Sequence, residues 1–127
     1  MTVQTLRPTE AEGRPYVPGI VAEGRFVFVS GQTPMRNGSI VGTSIEAQTE
    51  AVFENIDRIL ADAGATLHDI VRCGVFLADL DDFEAMNAVY GSFFSDPLPA
   101  RTTVGAHLPG IKVEIDCVAV LPATERQ

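Results

Sequence analysis

The sequence predicts an α+β domain in which two helices cover one face of a β-sheet. Runs rich in β-branched and aromatic residues alternate with two amphipathic segments in the order ββ, α, β, α, ββ. Two helices are too few to cover both faces of a parallel sheet, so we place them together on one face. The length of 127 residues fits a single domain, residues 1–127, whose first ~13 and last ~5 residues are peripheral.

Composition and charge exclude several classes of protein. The net charge is −8, with eight arginines, a single lysine (Lys112) and no basic run, which argues against a nucleic-acid partner. No apolar run reaches the ~18–20 residues of a membrane span, and Met1–Gly13 lacks the apolar core of a signal peptide. Cys73 and Cys117 lie in strand-like patterns and are expected to be small buried residues in a reducing compartment. We therefore expect a cytosolic protein with no membrane partner.

The first third of the chain contains two turn signals. Residues 20–30 form two β-rich runs on either side of Glu23-Gly24, which predicts a hairpin closed by a tight turn. Asn37-Gly38 marks a second turn, between two short runs.

The first helix is the clearest element of the sequence. Thr43 and Glu46 have the spacing of a capping box, and Gly64 supplies the stop. Between them, the apolar residues that fall on one face are Ile45, Val52, Ile56, Ile59, Leu60 and Ala63.

A second helix is predicted to begin at Asp81 or Asp82 and to run to about Phe94. Three further strands are predicted over Val71–Leu77, Thr102–Ala106 and Val113–Leu121.

The strands are apolar on both faces, which two helices cannot cover. Phe26 and Phe28 alternate with Val27 and Val29 on the same strand. Because large exposed apolar patches usually mark interfaces, we infer a homo-oligomer in which another subunit covers the second face.

Arg101 and Glu114 are the strongest candidates for chemistry. Arg101 follows Pro97-Leu-Pro-Ala100, and a rigid approach to one guanidinium suits bidentate binding of a carboxylate. Glu114 alternates with apolar residues of the last strand, where a carboxylate could position water or shuttle a proton. A surface arginine and a solvated edge residue remain the alternatives.

Two further stretches suggest a pocket. Asn87 lies at the edge of the second helix's apolar stripe, one turn before Tyr90, and either lines a pocket or makes a structural hydrogen bond. The Ser30-Gly31-Gln32 stretch ends an apolar strand. The glycine either lets a ligand approach the backbone closely or simply forms the turn that ends the strand. His68 and His107 have no partner at metal-ligand spacing, so we expect surface histidines and no metal site.

Taken together, these stretches resemble the RidA (YjgF) family of reactive-intermediate imine deaminases over roughly residues 14 to 121. The matching segments are Pro15-Tyr16, Phe28 to Pro34, Val71 to Leu80, Phe83 to Asn87 with Tyr90, Pro99 to Arg101, Leu108-Pro109 and Val113 to Asp116. Their order and spacing are specific, although each segment alone is not.

The resemblance implies a chorismate-mutase-like α+β fold with a mixed sheet, and a homotrimer whose sheets pack into a barrel-like core. It also implies active sites between subunits, in which Arg101 clamps the substrate carboxylate and Glu114 activates water. The residues that it assigns to substrate binding are Tyr16, Ser30, Gly31, Asn87, Tyr90 and Thr103. The sequence departs from the family pattern at Val17-Pro18, where two polar residues are usual, and at Thr103, where many members have cysteine.

The implied reaction is hydrolysis of a 2-imino or 2-enamino acid to the 2-oxo acid and ammonia. A protonated imine is already electrophilic, so this chemistry calls for no cofactor, metal or covalent nucleophile. Three alternatives remain: a pathway-specific deaminase or C–N hydrolase on the same scaffold, a small-ligand-binding or regulatory trimer, and a ribonuclease. The net charge of −8 makes the ribonuclease the weakest of these.

Overall fold

The computed structural model describes residues 3–123, so residues 124–127 of the tail expected to fray lie outside it. The strands are β1 (Val3–Leu6), β2 (Gly19–Ala22), β3 (Arg25–Gln32), β4 (Met35–Arg36), β5 (Ser39–Ile40), β6 (Ile70–Leu77), β7 (Ala100–Gly105) and β8 (Val113–Leu121). The helices are α1 (Ile45–Asp62) and α2 (Phe83–Ser92). Within residues 3–123, neither helix combines the length and the apolar character needed to cross a bilayer.

The main sheet is mixed and has the strand order β3-β8-β6-β7. β8 is antiparallel to both β3 and β6, whereas β6 and β7 are parallel because the chain returns through α2 between them. The α+β class and the mixed sheet predicted from the sequence are therefore confirmed.

Both helices pack on one face of this sheet, as predicted. Alternate residues of β8 are buried beneath them, namely Val113, Ile115, Cys117 and Ala119. α1 contributes Val52, Ile56 and Leu60 to the same core, each completely buried. Phe53 of α1 meets Tyr90 of α2 edge-to-face, with ring centroids 5.6 Å apart. Period-2 strands and a period-3.6 helix thus bury their apolar residues against each other.

The opposite face of the sheet is open in the single chain. Phe28 is 77% exposed, and Phe26 and Val104 are also exposed. The sequence predicted strands that are apolar on both faces, and the structure confirms this pattern.

The predicted hairpin over residues 20–30 is wrong. β2 pairs with β1, from Val3 opposite Ala22 onwards, and β3 pairs with β8 instead of β2. Gly24 has a φ of +140°, and a Cβ there would lie 2.0 Å from the Leu121 carbonyl oxygen. The backbone at Gly24 therefore lies against the end of β8, and the chain then enters the main sheet as β3. β1, which was not predicted from the sequence, becomes the partner of β2.

The second turn follows the prediction. Asn37 and Gly38 have φ values of +54° and +82° and join β4 to β5.

The cap of α1 lies one residue later than the capping box predicted from Thr43 and Glu46. The Ser44 hydroxyl accepts a hydrogen bond of 3.0 Å from the backbone N–H of Ala47. Gly64 (φ +77°) follows the helix, as predicted.

Replacement of the two hydroxyl residues should distinguish the caps. Ser44→Ala is expected to lower the free energy of unfolding by about 1 kcal/mol, because it leaves a helix N–H without its acceptor. The matched Thr43→Ala change should cost only a few tenths of a kcal/mol. Urea denaturation at one fixed protein concentration measures both, and a larger cost for Thr43→Ala would contradict the assignment.

α2 is shorter than predicted at both ends. A 3-10 turn, Leu80–Asp82, precedes it, and the Asp79 carboxylate accepts the N–H of Asp81 at 2.9 Å. The helix therefore begins at Phe83 and ends at Ser92.

Candidate functional site

Arg101 lies in a cage of four side chains, which are three aromatic rings and Asn87. Its guanidinium carbon is 4.4 Å from the ring centroid of Tyr16, 4.7 Å from that of Tyr90 and 5.5 Å from that of Phe83. Its Nη1 donates a hydrogen bond of 2.6 Å to the Asn87 side-chain oxygen. These contacts hold the guanidinium in a defined place at the start of β7.

Helix α2 supplies three members of this cage from one face. Phe83, Asn87 and Tyr90 are separated by four and then three residues, the spacing that stacks side chains along one side of a helix. Tyr90 is completely buried, so its ring supports Arg101 from within the core. Phe83 was not among the predicted site residues, although it begins one of the segments that resemble the family. Its position one turn before Asn87 is the signal that could have revealed it.

The loop that precedes β2 supplies the fourth member. The Val17 N–H donates a 3.0 Å hydrogen bond to the Pro99 carbonyl, and Val17 forms an isolated parallel bridge with Ala100. This attachment to the start of β7 brings Tyr16 over Arg101. It uses only the backbone of residue 17, so the replacement of a polar residue by valine leaves the attachment intact.

The charge of Arg101 has no acidic partner among residues 3–123, where the ion pairs involve Arg7, Arg36 and Arg72. Partial burial lowers the pKa of Arg101, and Tyr90 and Tyr16 partly oppose this. Asn87 occupies one donor position, and the other N–H groups of the guanidinium can bind an anion.

Glu114 lies with Ser30 and Gly31 in a second cluster. A Cβ on Gly31 would lie 2.1 Å from Oε2 of Glu114, so the carboxylate rests directly on the glycine backbone. Ser30 is exposed, and its carbonyl accepts a 3.1 Å hydrogen bond from the Gln32 side chain. A larger residue at position 31 would displace the carboxylate from this place.

The two clusters lie on opposite faces of the sheet. Cys73 pairs with Arg101 across β6 and β7 and is buried beneath the helices, so Arg101 projects towards the helices. Glu114 alternates with the buried residues Val113 and Ile115, so it projects from the open face. The single chain therefore unites Tyr16, Asn87 and Tyr90 with Arg101, and Gly31 with Glu114, but it does not bring Arg101 to Glu114. Ser30 adjoins Gly31 in the chain.

Thr103 lies on the same face of β7 as Arg101, two residues further along. Its hydroxyl is buried and has no hydrogen-bond partner among residues 3–123. A buried hydroxyl without a partner is costly, and this one lies on the Arg101 side of β7 with its hydrogen-bonding capacity unused.

The other titratable candidates lie outside both clusters or are inert. His68 and His107 are exposed, as predicted. Cys73 and Cys117 are buried free thiols, as predicted. Burial raises the pKa of Cys73 to about 12 and also raises that of Cys117, so both are uncharged thiols at neutral pH.

Comparison with known proteins agrees with this architecture. The sequence profile described as Endoribonuclease L-PSP matches residues 7–121. The mitochondrial protein mmf2 of Schizosaccharomyces pombe is 43% identical over 112 residues, 84% of this chain and 88% of that protein. The crystal structure of YyfB from Yersinia pestis, described as a Rid family protein of unknown function, matches with a TM-score of 0.82 and 27% identity, over 95% of this chain and 100% of that one. The structure of E. coli TdcF with bound serine matches with a TM-score of 0.71 and 38% identity, over 84% and 88% of the two chains.

The fold defines a small α+β protein, and the caged Arg101 is its candidate site. The chain belongs to the Endoribonuclease L-PSP family, which is the RidA (YjgF) family. Membership supports a deaminase-type or small-ligand-binding role.

Proposed function

We propose that this protein is a hydrolytic deaminase of 2-imino and 2-enamino acids, of the 2-iminobutanoate/2-iminopropanoate deaminase type. The observation that carries the proposal is the half-buried Arg101 cation, held by three rings and Asn87 and lacking an acidic partner among residues 3–123. A cation kept in this state favours a ligand carboxylate, which can accept two parallel N–H bonds. The family relationship and the serine bound to TdcF support a small-molecule ligand.

The reaction requires a bound carboxylate and one activated water. Arg101 binds the carboxylate of the protonated imine, and Glu114 accepts a proton from the water as its oxygen forms a bond to C2. The tetrahedral intermediate carries both the hydroxyl and the amino group on C2. Glu114 returns the proton to the nitrogen, the C–N bond breaks, and a proton passes from the hydroxyl to the departing ammonia. The products are the 2-oxo acid and ammonium, so one water is consumed for each imine.

This mechanism requires a second subunit, because Arg101 and Glu114 lie on opposite faces of one sheet. We propose a homotrimer in which the open sheet faces meet and each site combines Arg101 of one chain with Glu114 of the next. Burial of Phe26 and Phe28 between subunits would remove the largest exposed apolar side chains from water.

Sedimentation equilibrium should give a mass three times the 13.6 kDa of the chain. The apolar face supplies the driving force, so added salt should not dissociate the assembly. A stable monomer at micromolar concentration would contradict the proposed trimer.

The activity is tested with an imine generated in situ. A dehydratase acting on serine or threonine releases 2-aminoacrylate or 2-aminocrotonate, and semicarbazide competes with water for the imine. The protein should accelerate release of the oxo acid and reduce formation of the semicarbazone. No acceleration across several imino acids, with a well-folded assembly, would overturn the proposed function.

The same assay separates the remaining alternatives. A ligand-binding or regulatory protein would bind serine or a 2-oxo acid at Arg101 without accelerating hydrolysis. A pathway-specific enzyme would act on one imino acid only. A ribonuclease is disfavoured because the net charge is −8 and the sequence contains no basic run for phosphates.

Gly31→Ala tests the contact between the Glu114 carboxylate and the backbone of Gly31. The added methyl group would collide with Oε2 at 2.1 Å, so the carboxylate must move away from the water. We expect kcat to fall roughly 10- to 100-fold, with little change in the free energy of unfolding. Gly105→Ala is the matched control, since a Cβ there lies at ordinary contact, 3.4 Å from Leu80. Equal activity of the two variants would contradict the assigned role of Gly31.

A further inference from the structure

A pair of opposite charges lies on the open face of the sheet, among apolar side chains. Nη1 of Arg72 on β6 is 3.9 Å from Oδ1 of Asp116 on β8, and both side chains are about half exposed. Phe26 and Phe28 are exposed on the same face. An ion pair at this distance on a surface contributes little to the stability of one chain. Its effect becomes large only when another molecule covers it, because burial makes unpaired charges costly.

The Asp116 side chain is held in place by the neighbouring strand β6. Its Oδ1 accepts the backbone N–H of Gly74 at 3.1 Å. A Cβ on Gly74 would lie 2.5 Å from this oxygen and 3.3 Å from Nη1 of Arg72, so no larger residue fits without moving the pair. Among residues 3–123, the Asp116 side chain makes no other hydrogen bond, which leaves acceptor capacity for a covering molecule.

A groove of about 470 Å³ lies beside Arg72. Within residues 3–123, Arg72 is the only charged residue in its lining, which includes Ile20, Phe26, Val71 and Val118. The same face carries Phe28, which projects into solvent. One face thus offers a groove, an apolar projection, a cation and an anion. The groove beside Arg72 and the projecting Phe28 are different patches of this face, and the head-to-tail contacts of a ring join two different patches.

We propose that Arg72 and Asp116 set the register of the subunit interface and thereby hold Glu114 against the Arg101 of the next copy. The part of this inference that concerns Glu114 and Arg101 rests on the proposed function. Glu114 and Asp116 lie two residues apart on the same face of β8, so a fixed Asp116 also fixes Glu114. A slip of two residues along the strand would displace Glu114 by roughly 7 Å, beyond reach of a water held at the substrate. Arg72 and Asp116 are positioning residues, since they act through Glu114.

Three variants test the inference: Arg72→Met, Asp116→Asn and the double replacement. Arg7→Met is the matched control, because Arg7 forms an exposed pair with Glu10 on another part of the surface. Assembly is measured by sedimentation over a dilution series, and kcat and KM are measured with the in situ imine at concentrations where each variant is assembled.

Each single variant leaves one charge unpaired in the interface and should raise the concentration for half-dissociation about tenfold or more. The double variant removes both charges and should restore assembly to within about threefold of wild type. Its kcat should nevertheless remain at least roughly tenfold below that of wild type, because the register of the interface is no longer fixed. Its KM should be almost unchanged, because the Arg101 cage is intact.

Single variants that dissociate like Arg7→Met would overturn the interface role. A double variant with full kcat would overturn the positioning role. The sedimentation results do not depend on turnover, so a wild-type protein that fails to hydrolyse imines would leave the interface test intact and would count against the proposed function alone.

Discussion

Arg101→Ala is expected to reduce kcat/KM for a 2-imino acid by roughly 10³-fold. A carboxylate bound by two charge-assisted hydrogen bonds gains about 1.5–3 kcal/mol from each, and both are lost. Arg101→Lys should recover only part of this, because an ammonium keeps the charge but cannot form the planar two-bond contact. The semicarbazide competition assay measures both variants.

The fold should survive these changes. Arg101 is half-buried at an edge strand, and its cage of Tyr16, Phe83 and Tyr90 is anchored independently by α2 and by the bond from Val17 to Pro99. Circular dichroism and sedimentation should therefore match wild type. Arg7→Ala removes the same charge from an exposed pair and should retain full activity. An Arg101→Ala protein with near-normal kcat/KM would show that the substrate carboxylate binds elsewhere.

Mixing two inactive variants should restore activity. Arg101→Ala lacks the carboxylate clamp and Glu114→Gln lacks the base, yet each still carries the residue that the other has lost. If each site combines Arg101 of one chain with Glu114 of the next, random trimers from an equal mixture contain about one intact site in four. Subunits are mixed in denaturant, refolded together and assayed, and about a quarter of wild-type activity is expected.

The double variant Arg101→Ala/Glu114→Gln provides the control for this experiment. Mixed with either single variant, it cannot supply a complete site, so no recovery is expected. If the mixture of Arg101→Ala with Glu114→Gln recovers no activity although mass spectrometry detects hetero-oligomers, both residues act from the same chain. The opposite-face placement of Arg101 and Glu114 predicts recovery.

Local patterns predicted most elements of the fold. β8 has the predicted bounds, Val113–Leu121: buried and half-exposed residues alternate from Val113 to Val118, and the last three residues are all buried. α1 buries Ile45, Val52, Ile56 and Leu60 of its predicted apolar face at the helical period, but Ile59, predicted on the same face, is exposed. The hairpin at Glu23-Gly24 was wrong because strand pairing is decided by non-local contacts: β3 pairs with a strand about ninety residues away.

The candidate site was predicted in part. Alone, the double-proline approach to Arg101 did not exclude an ordinary surface arginine, and only the family resemblance favoured a carboxylate clamp. The structure adds the cage, because Tyr16, Phe83 and Tyr90 come from separate parts of the chain and meet at one guanidinium. No local pattern encodes such a meeting.

By itself, the sequence determined the α+β class and the strands that are apolar on both faces, because each depends on spacing within a short segment; Arg101 and Glu114 stood out as candidates for chemistry. Only the tertiary structure decided that Arg101 and Glu114 lie on opposite faces of one sheet. Side chains alternate along every strand, so their relative placement depends on the registers of β6 with β7 and with β8. The two apolar faces of the strands first indicated an oligomer. The proposed oligomer also has a chemical role, because the proposed site is complete only where one chain meets the next.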